Sequence, residues 1–296
     1  TVAWSGDRGL TLVEQGPFGV IGAVTPSTNP SETVICNSIG MLAAGNAVVF
    51  APHPAAKKVS NLAIDMVNRA SVEVGGPENL AVAVENPTMD VSKVIFGHKD
   101  ISLLVATGGP GVVTTVLSSG KRAIGAGAGN PPVLVDETAN IAKAAEDIVN
   151  GCTFDNNLPC IAEKEVVAVH SIADELIFYM KQTGCYFASD EEVDKLVATV
   201  FTEKNGKRIL NRQCVGRSAK VLLEKIGVEV GNEIRCIIFE GAKEHPLISE
   251  ELMMPILGIV RVKDVDEGIE TAVWLEHGNR HSAHMHSTNV NNLTRY

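Results

Sequence analysis

From Val20 to Ala126, short apolar runs alternate with helix-length segments. Val20 to Val24, Ala47 to Phe50, Leu80 to Val84, Leu103 to Ala106 and Ala123 to Ala126 lack the polar alternation of a half-exposed strand. Such runs predict strands buried on both faces. Between them, Ser31 to Ala44, about Ala55 to Val74, Met89 to Phe96 and Gly111 to Ser119 read as helices. Gly45 takes the position just past the first helix, and Gly75-Gly76-Pro77 stops the second. This βαβ rhythm predicts a parallel sheet with helices on both faces.

The glycine-rich run Gly125 to Gly129 interrupts the pattern, and a second αβ region follows. Val133 to Val135 predicts a strand, Ile141 to Cys152 a helix and Glu165 to Val169 a strand. Ser171 with Asp174 resembles a capping box for the next helix. Ile234 to Phe239 and Ile259 to Val262 predict further strands, Asp264 caps a helix running to about His277, and Ser282 to His286 predicts another strand. A length of 296 residues suggests two domains at about 150 residues each. Their boundary is expected near Gly129, giving a fold of the α/β class in which residues 17–128 and 129–296 form separate domains.

Composition narrows the function. The chain is 45% hydrophobic but only 4% aromatic, so Val, Ala, Ile and Leu must fill its core. Lys and Arg number 25 against 35 Asp and Glu, a net charge of −10. That balance gives no footprint for nucleic acid or an anionic membrane surface. No apolar run reaches the ~18 residues of a membrane span. The six cysteines show no CxxC pair, so neither a zinc site nor a disulfide framework is expected, and a reducing, cytoplasmic setting is. Thr1-Val2-Ala3-Trp4 lacks an initiator Met and a signal sequence, and Asn292 to Tyr296 stops without a cap, so both ends are expected to be trimmed.

Five segments could carry chemistry. Thr25-Pro26-Ser27-Thr28-Asn29-Pro30 joins a strand to a helix, where an anion or carbonyl oxygen would be favoured, and a tight βα turn is the plain alternative. Thr107-Gly108-Gly109-Pro110-Gly111 is neither GxGxxG nor a Walker loop. Its glycines suit a close dinucleotide or a simple turn. Cys160 follows the polar segment Phe154-Asp155-Asn156-Asn157-Leu158-Pro159, though most single cysteines are packing residues. Cys36, Cys152, Cys185, Cys214 and Cys236 keep that packing reading. Glu250-Glu251 ahead of Pro255 is a solvated turn or an acceptor for a ribose diol. Among His277, His281, His284 and His286, the last two share one strand face, which reads as a polar sheet face, and no metal site is expected.

Taken in order, these segments resemble the aldehyde dehydrogenase superfamily, and more narrowly the CoA-acylating aldehyde dehydrogenases of ethanolamine and propanediol utilisation. The signatures are Thr25 to Pro30, Ala44 to Pro54, Ala106 to Gly111, Gly125 to Pro131, Phe154 to Cys160 and Glu250 to Pro255. The resemblance implies a Rossmann-type dinucleotide-binding domain (17–128), an α/β catalytic domain (129–296) and part of an oligomerisation arm (1–16). It also implies that family members begin before Thr1 and continue beyond Tyr296, so parts of both domains are expected to be missing.

Carried over, Cys160 is the nucleophile that attacks the aldehyde, and hydride leaves to NAD with a thioester left on sulfur. The backbone N–H of Cys160 and the amide of Asn29 are the expected alkoxide donors. In the hydrolytic branch the equivalent Asn stands one place earlier, where this chain has Thr28. Thr25, Pro26, Ser27, His53, Thr107, Gly108 and Gly109 are expected to line the cofactor, and Glu251 to accept hydrogen bonds from the nicotinamide ribose. A lysine that the hydrolytic branch uses near the adenosine ribose is replaced by Ala51, with His53 nearby, and its water-activating glutamate by Ala126. Without that base, a thiol acceptor such as coenzyme A, with a pKa of ~8.5, is easier to activate than water.

The expected function is therefore NAD-dependent, CoA-acylating oxidation of a short aliphatic aldehyde, by a homo-oligomer in the cytoplasm or in the lumen of a bacterial microcompartment, whose shell is a further expected partner. The alternatives are a hydrolytic aldehyde dehydrogenase giving a free acid, and a non-catalytic assembly module with this fold.

Overall fold

The computed structural model describes residues 1–204 and 206–296. The chain divides into two compact units, Thr1–Gly127 and Ala128–Tyr296. In the first, β1 (Val2–Gly6) and β2 (Gly9–Val13) form an antiparallel hairpin. Then come β3 (Val20–Thr25), α1 (Pro30–Ala43), β4 (Ala47–Pro52), α2 (Lys57–Glu73), β5 (Ala81–Ala83), α3 (Met89–Gly97), β6 (Ile101–Thr107), α4 (Pro110–Leu117) and β7 (Arg122–Ala126). The five later strands make a parallel sheet in the order β5-β4-β3-β6-β7.

Ile21, Ala23, Val48, Phe50, Leu104 and Ala106 are almost fully buried in that sheet, as continuous apolar strands require. Two clusters flank it, one built on Val34, Phe50 and Ile64 and one on Ile95, Leu104 and Val116. Gly45 adopts φ +80 immediately after the end of α1, the left-handed conformation that makes glycine the natural residue there.

The second unit contains β8 (Pro132–Val135), α5 (Ile141–Thr153), β9 (Glu165–Val169), α6 (His170–Gln182), β10 (Cys185–Phe187) and α7 (Asp190–Val200). It continues with β11 (Phe201–Lys204), β12 (Lys207–Leu210), α8 (Ala219–Lys225), β13 (Cys236–Glu240), α9 (Pro246–Ser249), β14 (Ile256–Val262), α10 (Val265–Leu275), β15 (His284–His286) and α11 (Val290–Arg295). Its sheet runs β10-β13-β14-β9-β8-β15, with every pairing parallel. α5 buries Ile141, Ala144, Ala145, Ile148, Val149 and Cys152, the three- and four-residue spacing of one helix face.

Two sequence expectations are corrected here. Ser171 and Asp174 form no capping box: α6 starts at His170, Val169 is its N-cap without a side-chain bond, and Asp174 instead pairs with Arg261. The helix begins directly after the strand, so the N-cap position falls on apolar Val169 and Ser171 already lies inside the first turn. The capping box lies one helix later, where Ser189 and Glu192 exchange bonds at the start of α7. Cys36 is not a packing residue. It lies exposed on α1, whereas Cys152, Cys185, Cys214 and Cys236 are buried.

Candidate active site

In the first unit, the strand order reverses at β3. The chain steps from β3 outward to β4 and β5, then crosses to the other side of β3 to form β6 and β7. Open α/β sheets bind ligands where their connections diverge, outside the carboxyl ends of the strands. The turns leaving β3 and β6 there are Thr25 to Asn29 and Thr107 to Gly109, and Ala106 pairs directly with Val24. His53 follows β4, where its N–H donates to the Thr25 carbonyl at 3.1 Å and its Nδ1 accepts from Ala55.

Both turns leave helix N-terminal donors without a side-chain cap. Asn29 is the N-cap of α1, but its amide oxygen accepts from Thr28 Oγ1 at 3.1 Å rather than from the helix, and Pro30 supplies the first position. Gly109 is the N-cap of α4, and a Cβ there would meet nothing within 4 Å. The Thr25 hydroxyl is buried without a hydrogen-bond partner. Uncapped N–H groups, an open glycine and an orphan hydroxyl fit a phosphate-bearing dinucleotide such as NAD. Pro26 is buried beside them and Ser27 exposed.

In the second unit, α5 ends in a 3₁₀ turn in which Asp155, Asn156 and Asn157 all adopt left-handed backbone, with φ of 46, 51 and 63. Asn and Asp tolerate that region better than other residues that carry a Cβ. The turn is held from both sides. Asn156 Nδ2 donates to the Gly216 carbonyl at 3.1 Å, and the buried Asn157 Nδ2 to the carbonyls of Cys152 and Glu163, each at 2.9 Å. Leu158, Pro159 and a half-exposed Cys160 follow.

Further groups surround the Cys160 segment. Gly129 lies so near that a Cβ on it would stand 2.9 Å from both the Cys160 carbonyl oxygen and the His281 ring. The Gly129 N–H also donates to the Glu251 carboxylate. Lys164, 4% exposed, extends its ammonium to the carbonyls of Asn157 (2.9 Å) and Pro159 (3.1 Å) and to the Asn157 amide oxygen. His284 Nε2 meets the Ile161 carbonyl at 3.0 Å.

Burial pushes the Cys160 thiol above its ordinary pKa, and the nearby Glu251 carboxylate adds to that, while Lys164 opposes it. Burial likewise raises Glu251, against the pull of Lys164 and the Gly129 N–H. Glu250 is no equal partner. It faces Arg208 at 3.9 Å, and its carboxyl is raised by burial alone. Next to Glu251, Met253 has φ 51 and its carbonyl accepts from the Gly216 N–H at 2.9 Å, so the glutamate and cysteine segments brace each other through Gly216.

A family model described as the aldehyde dehydrogenase family matches residues 1–296. The chain belongs to the aldehyde dehydrogenase family. It is 48% identical over 292 residues to an acetaldehyde dehydrogenase (acetylating) EutE of Escherichia coli strain K12, covering 98% of this chain and 62% of that one. Among solved structures, it matches a propionaldehyde dehydrogenase from the Clostridium phytofermentans fucose utilisation bacterial microcompartment at 68% identity and a TM-score of 0.94, over 100% of this chain and 67% of the other. A Rhodopseudomonas palustris propionaldehyde dehydrogenase, solved with bound CoA and an acylated cysteine, matches at 57% identity and a TM-score of 0.92, over 99% and 66%. The chain thus spans about three fifths of the length of the EutE relative. The family resemblance and the α/β fold expected from the motifs are both borne out.

Within this aldehyde dehydrogenase chain, sequence reasoning missed Lys164, Asn157 and the close approach of Gly129 and His281. Lys164 stands just ahead of the predicted strand Glu165 to Val169, where its charge drew no functional reading. The available signal was the strand directly after it: a central parallel strand is buried along its length, so charges at its entry are carried inward.

Proposed function

We propose that this chain carries the nucleophile and the cofactor turns of a CoA-acylating aldehyde dehydrogenase acting on a short aliphatic aldehyde. The observation that carries the reading is Cys160: half-exposed, at the end of a backbone braced by Asn157 and Lys164, within the electrostatic reach of Glu251. The acylated cysteine and bound CoA of the Rhodopseudomonas palustris relative support it.

The Cys160 thiolate attacks the aldehyde carbon, forming a C–S bond and moving the carbonyl electrons onto oxygen. The Cys160 N–H is the proposed donor to that alkoxide, and the family resemblance supplies the Asn29 amide as the candidate second donor. Thr25, Ser27, Thr107, Gly108 and Gly109 are proposed to hold the dinucleotide, and Glu251 its nicotinamide ribose. NAD, when bound, supplies the hydride acceptor that converts the adduct on Cys160 to a thioester. Attack by a thiol on that thioester breaks the C–S bond and frees Cys160. By the resemblance, Ala126 stands in place of the hydrolytic branch's water-activating glutamate, and alanine accepts no proton.

Units 1–127 and 128–296 are proposed as the cofactor and catalytic domains. The β1–β2 hairpin, which exposes Trp4, Leu10 and Leu12, is proposed as an oligomerisation arm. The microcompartment origin of the Clostridium phytofermentans relative supports a microcompartment lumen as the setting, with its shell as partner. Among the described residues no helix is long and apolar enough to cross a membrane.

One observation favours hydrolysis as a second reading: the raised Glu251 carboxyl beside Cys160 is chemically able to accept a proton from water. The test is NADH formation with short aldehydes, with and without CoA, and the ratio of acyl-CoA to free acid at saturating CoA. Strict CoA dependence with acyl-CoA as the main product is expected. Mainly free acid would transfer the conclusion to the hydrolytic branch.

A further inference from the structure

The Lys164 ammonium is buried at the entry to β9 with three acceptors around it: the Asn157 carbonyl, the Asn157 side-chain oxygen and the Pro159 carbonyl. A lysine ammonium has three N–H donors, and an amine has two. Three acceptors therefore match the charged form and would leave one oxygen against a lone pair in the neutral form. With every donor used inside the loop, none is left for substrate. Lys164 is built into the loop as a fixture.

Its third bond has a particular consequence. The Pro159 carbonyl and the Cys160 N–H belong to one peptide plane, and that bond is trans. Anchoring the oxygen fixes the direction of the N–H. A cation on the carbonyl also polarises the same peptide, strengthening its N–H as a donor. The Ala162 N–H reaches the same oxygen at 3.2 Å, so the carbonyl is held by two donors.

We propose that Lys164 is a positioning residue that locks the peptide bearing the Cys160 N–H and keeps a fixed positive charge beside the Cys160 sulfur. This rests on the reading of Cys160 as nucleophile and deepens it. The charged and titratable groups around the pair come from several segments: Glu251 faces both, Cys152 and Glu165 face Lys164, and Glu163, which also faces His284, lies next to it. Burial and Glu251 hold the thiol up, and its own backbone N–H, the group that Lys164 orients, lowers it together with the Lys164 charge. Burial pulls the ammonium toward neutrality, and the Glu251 carboxylate is the foremost influence opposing that.

The test is the pH profile of Cys160 alkylation by iodoacetamide, read by mass spectrometry on the purified protein, for wild type, Lys164→Gln and Lys164→Arg. Gln keeps donors without charge, and Arg keeps charge. The Lys164→Gln midpoint should rise by about one pH unit, the size of shift that a neighbouring opposite charge produces. Lys164→Arg should stay near wild type. A Lys164→Gln protein that is folded and alkylates with the wild-type midpoint overturns the proposal, since a purely structural lysine would change melting temperature alone. If Lys164→Gln does not fold, ¹⁵N-lysine NMR of the wild type decides. A slowly exchanging ammonium signal at neutral pH, lost in Lys164→Arg, is expected, and its absence overturns the proposal. Alkylation needs no aldehyde turnover. A Lys164-dependent titration without NADH from any aldehyde would therefore sink the enzymatic reading and leave this one standing.

Discussion

A methyl group on Gly129 would stand 2.9 Å from the carbonyl oxygen of Cys160, closer than real Cβ atoms approach anything. The constraint is space, since Gly129 is not among the glycines with positive φ. Gly129→Ala should push the cysteine loop away from the Gly129 N–H that holds Glu251. Overpacking of this kind costs about 1–3 kcal/mol. Misplacement of reacting groups adds a rate loss of about 10- to 100-fold. Thermal melting and steady-state kcat should both fall, with kcat falling further than stability loss alone explains.

Cys160→Ala should abolish acyl-enzyme formation and leave NAD binding nearly unchanged, because the thiol supplies chemistry rather than affinity. Intact-mass detection of the acyl adduct and calorimetric titration with NAD check both halves. Cys236→Ala, at a fully buried position, should instead lower the melting temperature while acylation persists.

Glu251→Gln should reduce turnover by at least 10-fold, and Glu250→Gln by less than about twofold. The expected difference follows from their surroundings: Glu251 accepts from Gly129 beside Cys160, whereas Glu250 points toward Arg208. The variants also differ in pH behaviour. Removing the Glu251 charge removes one of the two influences that raise the thiol, so the Cys160 alkylation midpoint should move down. Equal kinetics for the two variants would return the pair to a solvated turn.

Glu165 is fully buried with neither carboxylate oxygen hydrogen-bonded, and burial holds its pKa well above the ordinary value. The folded state therefore keeps a proton that the unfolded state has released. Stability is greatest below the unfolded carboxyl pKa and falls as pH rises from there toward the folded value, by up to about 1.4 kcal/mol per pH unit. Glu165→Gln removes that dependence. Its melting temperature should gain on wild type steadily as pH rises above the unperturbed range of a carboxyl. Parallel curves would mean the carboxyl is charged in the fold.

Much of this architecture is legible in the residue order, for a physical reason. Strands buried on both faces must be apolar throughout, so β3, β4 and β6 stand out as runs, and α5 shows an uninterrupted helical stripe. The region from Cys185 to Lys225 is where sequence reading is silent. There β10 has three residues, and the β11–β12 hairpin is mostly exposed, so neither carries a strong period. The site is half legible. Cys160 and Glu251 emerge from motif order, but Lys164 hides inside a charged triplet and Gly129 resembles a linker glycine. What distinguishes both is a contact with the Asn157–Cys160 loop, and contact is a property of the fold.

The edge of the second sheet has a consequence for synthesis. β8, near the start of its unit, pairs with β15 near the end, placing Val133 to Val135 against His284 to His286. The same juncture is fastened by Asp136, which accepts from Ser287 at 2.6 Å and Asn292 at 2.8 Å. On the ribosome, residues 132–136 emerge some 150 residues before these partners do. Until then an apolar strand waits with one open side, and distant pairings of this kind close slowly. The open side of β8 is therefore exposed on the nascent chain until residues 284–286 emerge to pair with it.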